Sequence, residues 1–153
     1  MLQVGSKVKD FSLKDSKGMT HKLSNYLGKV VVIYIYPKNN TPGCNNQACS
    51  FRDNYHLYRE NNIILLGISK DSQASHEKFN NKFKLTFPTL SDESLDVIKY
   101  FNAYAEKSMF GKKYMGVLRN TYIIDEEGVL IKVIKKASPD KNALEVIEFI
   151  KNR

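Results

Sequence analysis

The chemical content of this sequence is concentrated in two cysteines. Cys44 and Cys49 stand five residues apart within Tyr36-Pro37-Lys38-Asn39-Asn40-Thr41-Pro42-Gly43-Cys44-Asn45-Asn46-Gln47-Ala48-Cys49. A thiol attacks as its thiolate, and an ordinary thiol is only a few per cent ionised at neutral pH. Thr41 reads as a helix N-cap with Pro42 at the first helical position, which puts Cys44 in the first turn. Unpaired amides and the positive helix end favour a thiolate there. Making such a thiol mostly ionised requires about 2.7 kcal/mol, for a shift of about two units. A helix end supplies about 0.3–1 kcal/mol, or up to about 2 when partly buried. A nearby cation is therefore wanted. Arg119, at the start of a strand, and Arg52, two turns along the same helix, are the candidates; Arg52 lies toward the wrong end of its helix.

The spacing of the pair has a mechanical consequence. Residues five apart on a regular helix have Cα atoms about 8.5 Å apart, whereas a disulfide needs them within about 7 Å. If the two thiols form a reversible bridge, the helix between them must unwind in every cycle. The alternative is two small buried hydrophobes, which cysteines often are. A thiol–disulfide oxidoreductase would normally use Cys-x-x-Cys, which is absent. His21, His56 and His76 show no zinc-ligand spacing with the cysteines.

The elements that would position these residues follow from the hydrophobic pattern. Residues 8–23 read as a β-hairpin turning at Asp15-Ser16-Lys17-Gly18, followed by a short helical turn from Ser24 to Gly28. Residues 30–36 are continuously β-branched or aromatic, the mark of a strand buried on both faces, and Pro37 ends it. Residues 43–60 read as one helix and 63–69 as a second buried strand, a βαβ unit with parallel strands. In such sheets function sits at the carboxyl ends of the strands, where residues 37–44 lie. A polar helix to about Phe83, a short extended piece at 87–92 and a helix from Ser94 to about Asn102 follow. Residues 103–117 read as irregular, although Met109, Phe110, Tyr114 and Met115 are apolar. Residues 118–125 and 129–135 form an antiparallel hairpin. Ser138 and Pro139 open a last helix with Leu144, Ile147 and Ile150 inward. The result is one α/β domain over residues 1–153: a mixed central sheet flanked by helices, with an N-terminal β-hairpin.

Composition narrows the class. The chain has 153 residues, 42% of them hydrophobic and 26% charged, as expected of a folded soluble protein. No signal-peptide pattern opens it and no run is long enough to span a bilayer, so a cytoplasmic location is expected, where paired thiols are more often redox-active than structural. The net charge of +8 is spread along the chain without a basic tract. It reads as a solvated surface, with neither nucleic acid nor membrane as a partner.

The segment around the cysteines resembles the peroxiredoxins, specifically their bacterioferritin-comigratory-protein (Q-type) branch. Pro37, Thr41 and Cys44 match the family's Pro-x-x-x-Thr-x-x-Cys, and Thr41-Pro42-Gly43-Cys44 with Cys49 matches the branch. Phe51-Arg52-Asp53, residues 66–71, 87–92, 111–116 and 119–125 also resemble family segments in order. The resemblance implies a thioredoxin-like fold and a cofactor-free thiol peroxidase acting on hydrogen peroxide and organic hydroperoxides. It assigns Cys44 as the peroxidatic nucleophile and Cys49 as the resolving thiol of an intramolecular disulfide. Thr41 would hydrogen-bond the peroxide and the thiolate, Pro37 would shield the site, and Arg119 would supply the cation. Thioredoxin or a similar dithiol would be the reductant, and a monomer or weak homodimer the assembly. Three positions depart from the family pattern. Asn45 stands where threonine is expected, Gln47 where many relatives carry glutamate, and Tyr104 where tryptophan is common. An uncharged amide at 47 limits that residue to polar positioning.

Overall fold

The computed structural model describes residues 2–153. Strands β1 (Ser12–Asp15) and β2 (Thr20–Lys22) form the N-terminal hairpin, and a 3-10 turn spans Leu23–Tyr26. Then come β3 (Val30–Ile35), helices α1 (Pro42–Asp53) and α2 (Tyr55–Glu60), β4 (Ile63–Ser69), α3 (Gln73–Phe83) and β5 (Thr89–Ser91). The chain continues through α4 (Asp96–Tyr100), β6 (Tyr104–Met109), β7 (Lys112–Val117), β8 (Asn120–Ile124), β9 (Leu130–Ile134) and α5 (Asn142–Lys151). Seven strands make one mixed sheet in the order β2-β1-β5-β4-β3-β8-β9, while β6 and β7 pair only with each other.

The uninterrupted apolar run of β3 is explained by its place in this sheet. Every residue from Val30 to Ile35 is buried. Side chains alternate across a strand, so Val30, Val32 and Tyr34 enter one core cluster with Phe51, Tyr58, Val146 and Ile147. Val31, Ile33 and Ile35 enter the other, with Leu23, Ile98 and Phe101. Tyr34 stacks on Phe51 of α1, with ring centroids 4.5 Å apart, which binds that helix to the sheet. Its neighbour on β4 is Gly67, where an added Cβ would stand 2.9 Å from the Tyr34 ring.

β3 runs parallel to β4 and antiparallel to β8, with Ile35 opposite Asn120. Antiparallel pairing therefore brings the beginning of β8 to the carboxyl end of β3. One residue before Asn120 stands Arg119, beside the loop that leaves β3.

Four sequence expectations are corrected. The helix expected over residues 43–60 is two helices. Asn54 adopts φ −107° and ψ 8°, and its side chain donates to the Ser50 carbonyl at 2.8 Å, the local competition that ends helices. The helix expected from Ser94 to Asn102 spans only Asp96–Tyr100, because Leu95 is left-handed at φ 68°. Asp92 Oδ2 instead accepts from Ile98 N at 2.8 Å. Residues 103–117 are not irregular but form the β6–β7 hairpin, whose two-residue turn has Phe110 at φ 51° and Gly111 at φ 78°; both positive angles are what a type I′ turn requires. The last helix begins at Asn142, later than Ser138, and Leu144 is 52% exposed rather than inward.

Candidate active site

Helix α1 starts at the carboxyl end of β3. Thr41 is its N-cap in extended conformation and Pro42 follows inside the helix. The first helical hydrogen bond runs from Asn45 N to Thr41 O at 2.8 Å. The Thr41 hydroxyl does not cap an amide; it donates to Lys38 O at 3.1 Å, so its lone pairs are left to accept. Pro37 lies two residues past the end of β3 and is half-buried.

Cys44 lies in the first turn of α1 and is 2% exposed. Arg119 Nη2 donates to Cys44 Sγ at 3.4 Å, and Arg119 Nη1 donates to Gln47 Oε1 at 2.7 Å. The arginine backbone is held as well, since its carbonyl accepts from Ala137 N at 2.8 Å. Gly43 makes room for the guanidinium: a Cβ there would lie 3.0 Å from Nη2. Among the described residues, no carboxylate is ion-paired with Arg119. Its charge therefore acts on Cys44 without a competing anion. Arg52, the other cation considered from sequence, points elsewhere: it donates to Phe83 O at 2.6 Å and to Asp53 at 3.0 Å.

Both cysteines are free thiols, Cys44 buried and Cys49 half-buried. Both belong to the continuous helix α1, so the structure gathers Cys44, Gln47 and Arg119 into direct contact and leaves Cys49 on the same helix, unbridged.

Residues that the sequence did not single out, Asn142 and Thr121 among them, also surround the site. Gln47 Nε2 donates to Asn142 Oδ1 at 3.0 Å, and Thr121 Oγ1 donates to the same oxygen at 2.8 Å. Behind the residue 37–41 loop, Tyr36 donates its hydroxyl to Asn39 Oδ1 at 2.6 Å, and Asn39 N donates to Asp71 Oδ2 at 2.9 Å. His76 lies 3.2 Å from both Asn39 Nδ2 and Ser69 Oγ. Burial lowers the His76 pKa to about 4, although Asp71 opposes the shift. Tyr36 and His76 are both buried, and they brace this loop. No local sequence signal marks Asn142, which is 95 residues from Gln47. Among the described residues, no cluster of three His, Cys, Asp or Glu side chains could hold a metal, and no helix is long and apolar enough to cross a membrane.

A buried thiol at a helix start, a guanidinium on its sulfur and a mixed sheet beneath define a thiol enzyme on a thioredoxin-like scaffold. Comparison with known proteins makes this specific. The model of the AhpC/TSA family matches residues 4–133. The peroxiredoxin Bcp of Bacillus subtilis is 40% identical over 151 residues, covering 99% of this chain and 96% of its own. The chloroplastic peroxiredoxin Q of Triticum aestivum is 40% identical over 149 residues, covering 97% of this chain and 66% of its own. A structure of the Xanthomonas campestris bacterioferritin comigratory protein, studied for its alkyl peroxide reduction activity, superposes with a TM-score of 0.91 at 30% identity, covering 99% and 97% of the two chains. The chain thus belongs to the AhpC/TSA family, in its Bcp/peroxiredoxin Q branch, and is a thiol peroxidase. The family, the fold and the enzyme class expected from the sequence all hold.

Proposed function

We propose that Cys44 is the peroxidatic nucleophile, that Cys49 resolves it as an intramolecular disulfide, and that thioredoxin or a similar dithiol recycles the pair. The observation that carries this reading is the hydrogen bond from Arg119 to Cys44 Sγ at the start of α1. The Cys44 thiolate attacks the distal oxygen of a hydroperoxide. An S–O bond forms, the O–O bond breaks, and the leaving oxygen departs as water or an alcohol after taking a proton. Sulfur is oxidised by two electrons to a sulfenic acid. Arg119 stabilises charge that develops on sulfur and oxygen, and the Thr41 hydroxyl, its hydrogen already engaged, accepts from the peroxide. Pro37 keeps water away from the reacting atoms. Resolution follows when α1 opens: the Cys49 thiolate attacks Cys44 Sγ, the S–S bond forms, and the S–O bond breaks to release water. An external dithiol then reduces the bridge and is itself oxidised to a disulfide.

The alkyl peroxide reduction activity of the Xanthomonas relative supports organic hydroperoxides as substrates, and the same attack on an O–O bond extends to hydrogen peroxide. Both thiols lie on one helix, so a monomer or weak homodimer suffices, and neither nucleic acid nor membrane enters the cycle. A dithiol reductant suits the reducing cytoplasm. The test is intact-mass spectrometry under non-reducing conditions after one equivalent of peroxide. A Cys44–Cys49 bridge is expected in the wild type, and a trapped sulfenic acid in Cys49→Ser. Full peroxide consumption by Cys44→Ser would refute the assignment.

A further inference from the structure

Gln47 sits midway between the two cysteines on α1 and is 0% exposed. Its side chain ties the helix to two other parts of the fold, through Arg119 at the start of β8 and through Asn142 at the start of α5. Asn142 is also 0% exposed, and its Oδ1 serves as the acceptor for both Gln47 and Thr121. Its Nδ2 is buried without a partner, so the acceptor side of this amide is the one in use. Arginine only donates. Gln47 must therefore offer its oxygen to Arg119 and its NH2 to a separate acceptor, and Asn142 is that acceptor.

The geometry of the pair makes this arrangement more than packing. Cys44 and Cys49 cannot bridge while the helix between them is intact. Unwinding that turn displaces Gln47, which breaks its bonds to Arg119 and Asn142 together and leaves Asn142 Oδ1 with Thr121 as its remaining donor. We propose that Asn142 is a positioning residue that acts through Gln47 as a latch. It orients Gln47, and thereby Arg119, against Cys44 for attack on peroxide, and it opposes the unwinding that lets Cys49 resolve the sulfenic acid. The latch sets how the sulfenic acid divides between disulfide and over-oxidation to sulfinic acid by a second peroxide. The inference rests on the assignment of Cys44 and Cys49 made above.

The chain has no tryptophan, so the test is quenched-flow intact-mass spectrometry on the reduced full chain, first with one equivalent of hydrogen peroxide and then with excess. Asn142→Ala is expected to slow Cys44 oxidation and to speed disulfide closure, each about three- to tenfold, the scale of one hydrogen bond. Its sulfinic fraction in excess peroxide should fall accordingly. Asn142→Leu, which refills the space, gives the same result if the alanine variant does not fold. A general loosening of the fold would act equally in any background, whereas a latch made through Gln47 would not. In Gln47→Ala, replacing Asn142 should change neither rate further. Unchanged rates in both Asn142 variants, or an undiminished effect in Gln47→Ala, overturn the latch. Absence of the wild-type Cys44–Cys49 bridge overturns instead the underlying assignment, and is read in the same experiment before any variant is compared.

Discussion

Arg119 Nη2 lies 3.4 Å from Cys44 Sγ although the two residues are 75 positions apart in the chain. The contact arises from strand direction. β8 runs antiparallel to β3 with Asn120 opposite Ile35, so the residue before β8 meets the loop that follows β3. With no ion-paired carboxylate among the described residues, the guanidinium divides its donors between the sulfur and a neutral amide.

Removing the guanidinium altogether should cost more than replacing its fork while keeping the charge. Arg119→Met is expected to lower kcat/KM for hydrogen peroxide by about 100-fold, the scale of one transition-state donor. Arg119→Lys should recover only part of this, because an ammonium lacks the planar fork that spans Cys44 and Gln47. Steady-state peroxide consumption decides it. Full activity in Arg119→Lys would mean that charge suffices without the fork.

Gly43→Ala separates activity from stability. Its Cβ would sit 3.0 Å from Arg119 Nη2, so the guanidinium must shift from Cys44. Alanine is also the better helix former, by up to about 1 kcal/mol. The expected outcome is slower Cys44 oxidation with a melting temperature that is unchanged or raised. A fall in both would point to backbone strain instead.

Oxidation should open a defined piece of backbone. In reduced protein the amides of residues 45–50 belong to α1 and should be protected from hydrogen exchange. In the disulfide form they should exchange rapidly, while β3 and β4 keep their protection. Hydrogen–deuterium exchange on both forms measures this, and retained protection at residues 45–50 in the oxidised form contradicts closure by unwinding.

Acid should destabilise the fold through His76. Burial lowers its pKa from 6.5 to about 4 in the folded chain, so the unfolded chain binds the extra proton first. The stability tied to the neutral ring is fully present above pH 6.5 and is lost as pH falls toward about 4, amounting to about 3 kcal/mol. His76→Gln should flatten the urea-midpoint profile over that window relative to wild type. Parallel profiles would assign the acid sensitivity to other groups.

The hairpin tip carries strain of its own. Phe110 is 99% exposed and held at φ 51°, a region that costs most L-residues about 1–2 kcal/mol. Phe110→Asn is expected to raise the melting temperature by about 2–4 °C with peroxide consumption unchanged. A lowered melting temperature would show that the ring contributes stabilising contacts despite its exposure.

How far the sequence could be read depended on whether the signal was local. The β3 run, Thr41-Pro42 and the cysteine spacing report on their own neighbourhood, and so the buried strand and the helix start were legible. Asn54, Leu95 and the Phe110-Gly111 turn were not, because each alters structure through one residue's backbone angle without disturbing the apolar period around it. Leu144 followed the helical period yet is 52% exposed, because the period alone does not say how far the sheet extends beneath α5. Arg119 was within reach because the chemistry of a thiolate calls for a cation. Asn142 was out of reach because its role exists only once α1 and α5 are packed together.

The β6–β7 hairpin is closed at its root by the bond from Leu118 N to Ala103 O at 2.7 Å, and its strands join no other sheet. Arg119 lies just past that root, so its place is fixed independently of whatever extends beyond. Entropy penalises added length there only weakly. Tyr104 and Val117 at the base of the hairpin pack into the core, but the exposed part beyond them is an exchangeable cassette, free to be shortened, lengthened or re-surfaced without retuning the chemistry at its base.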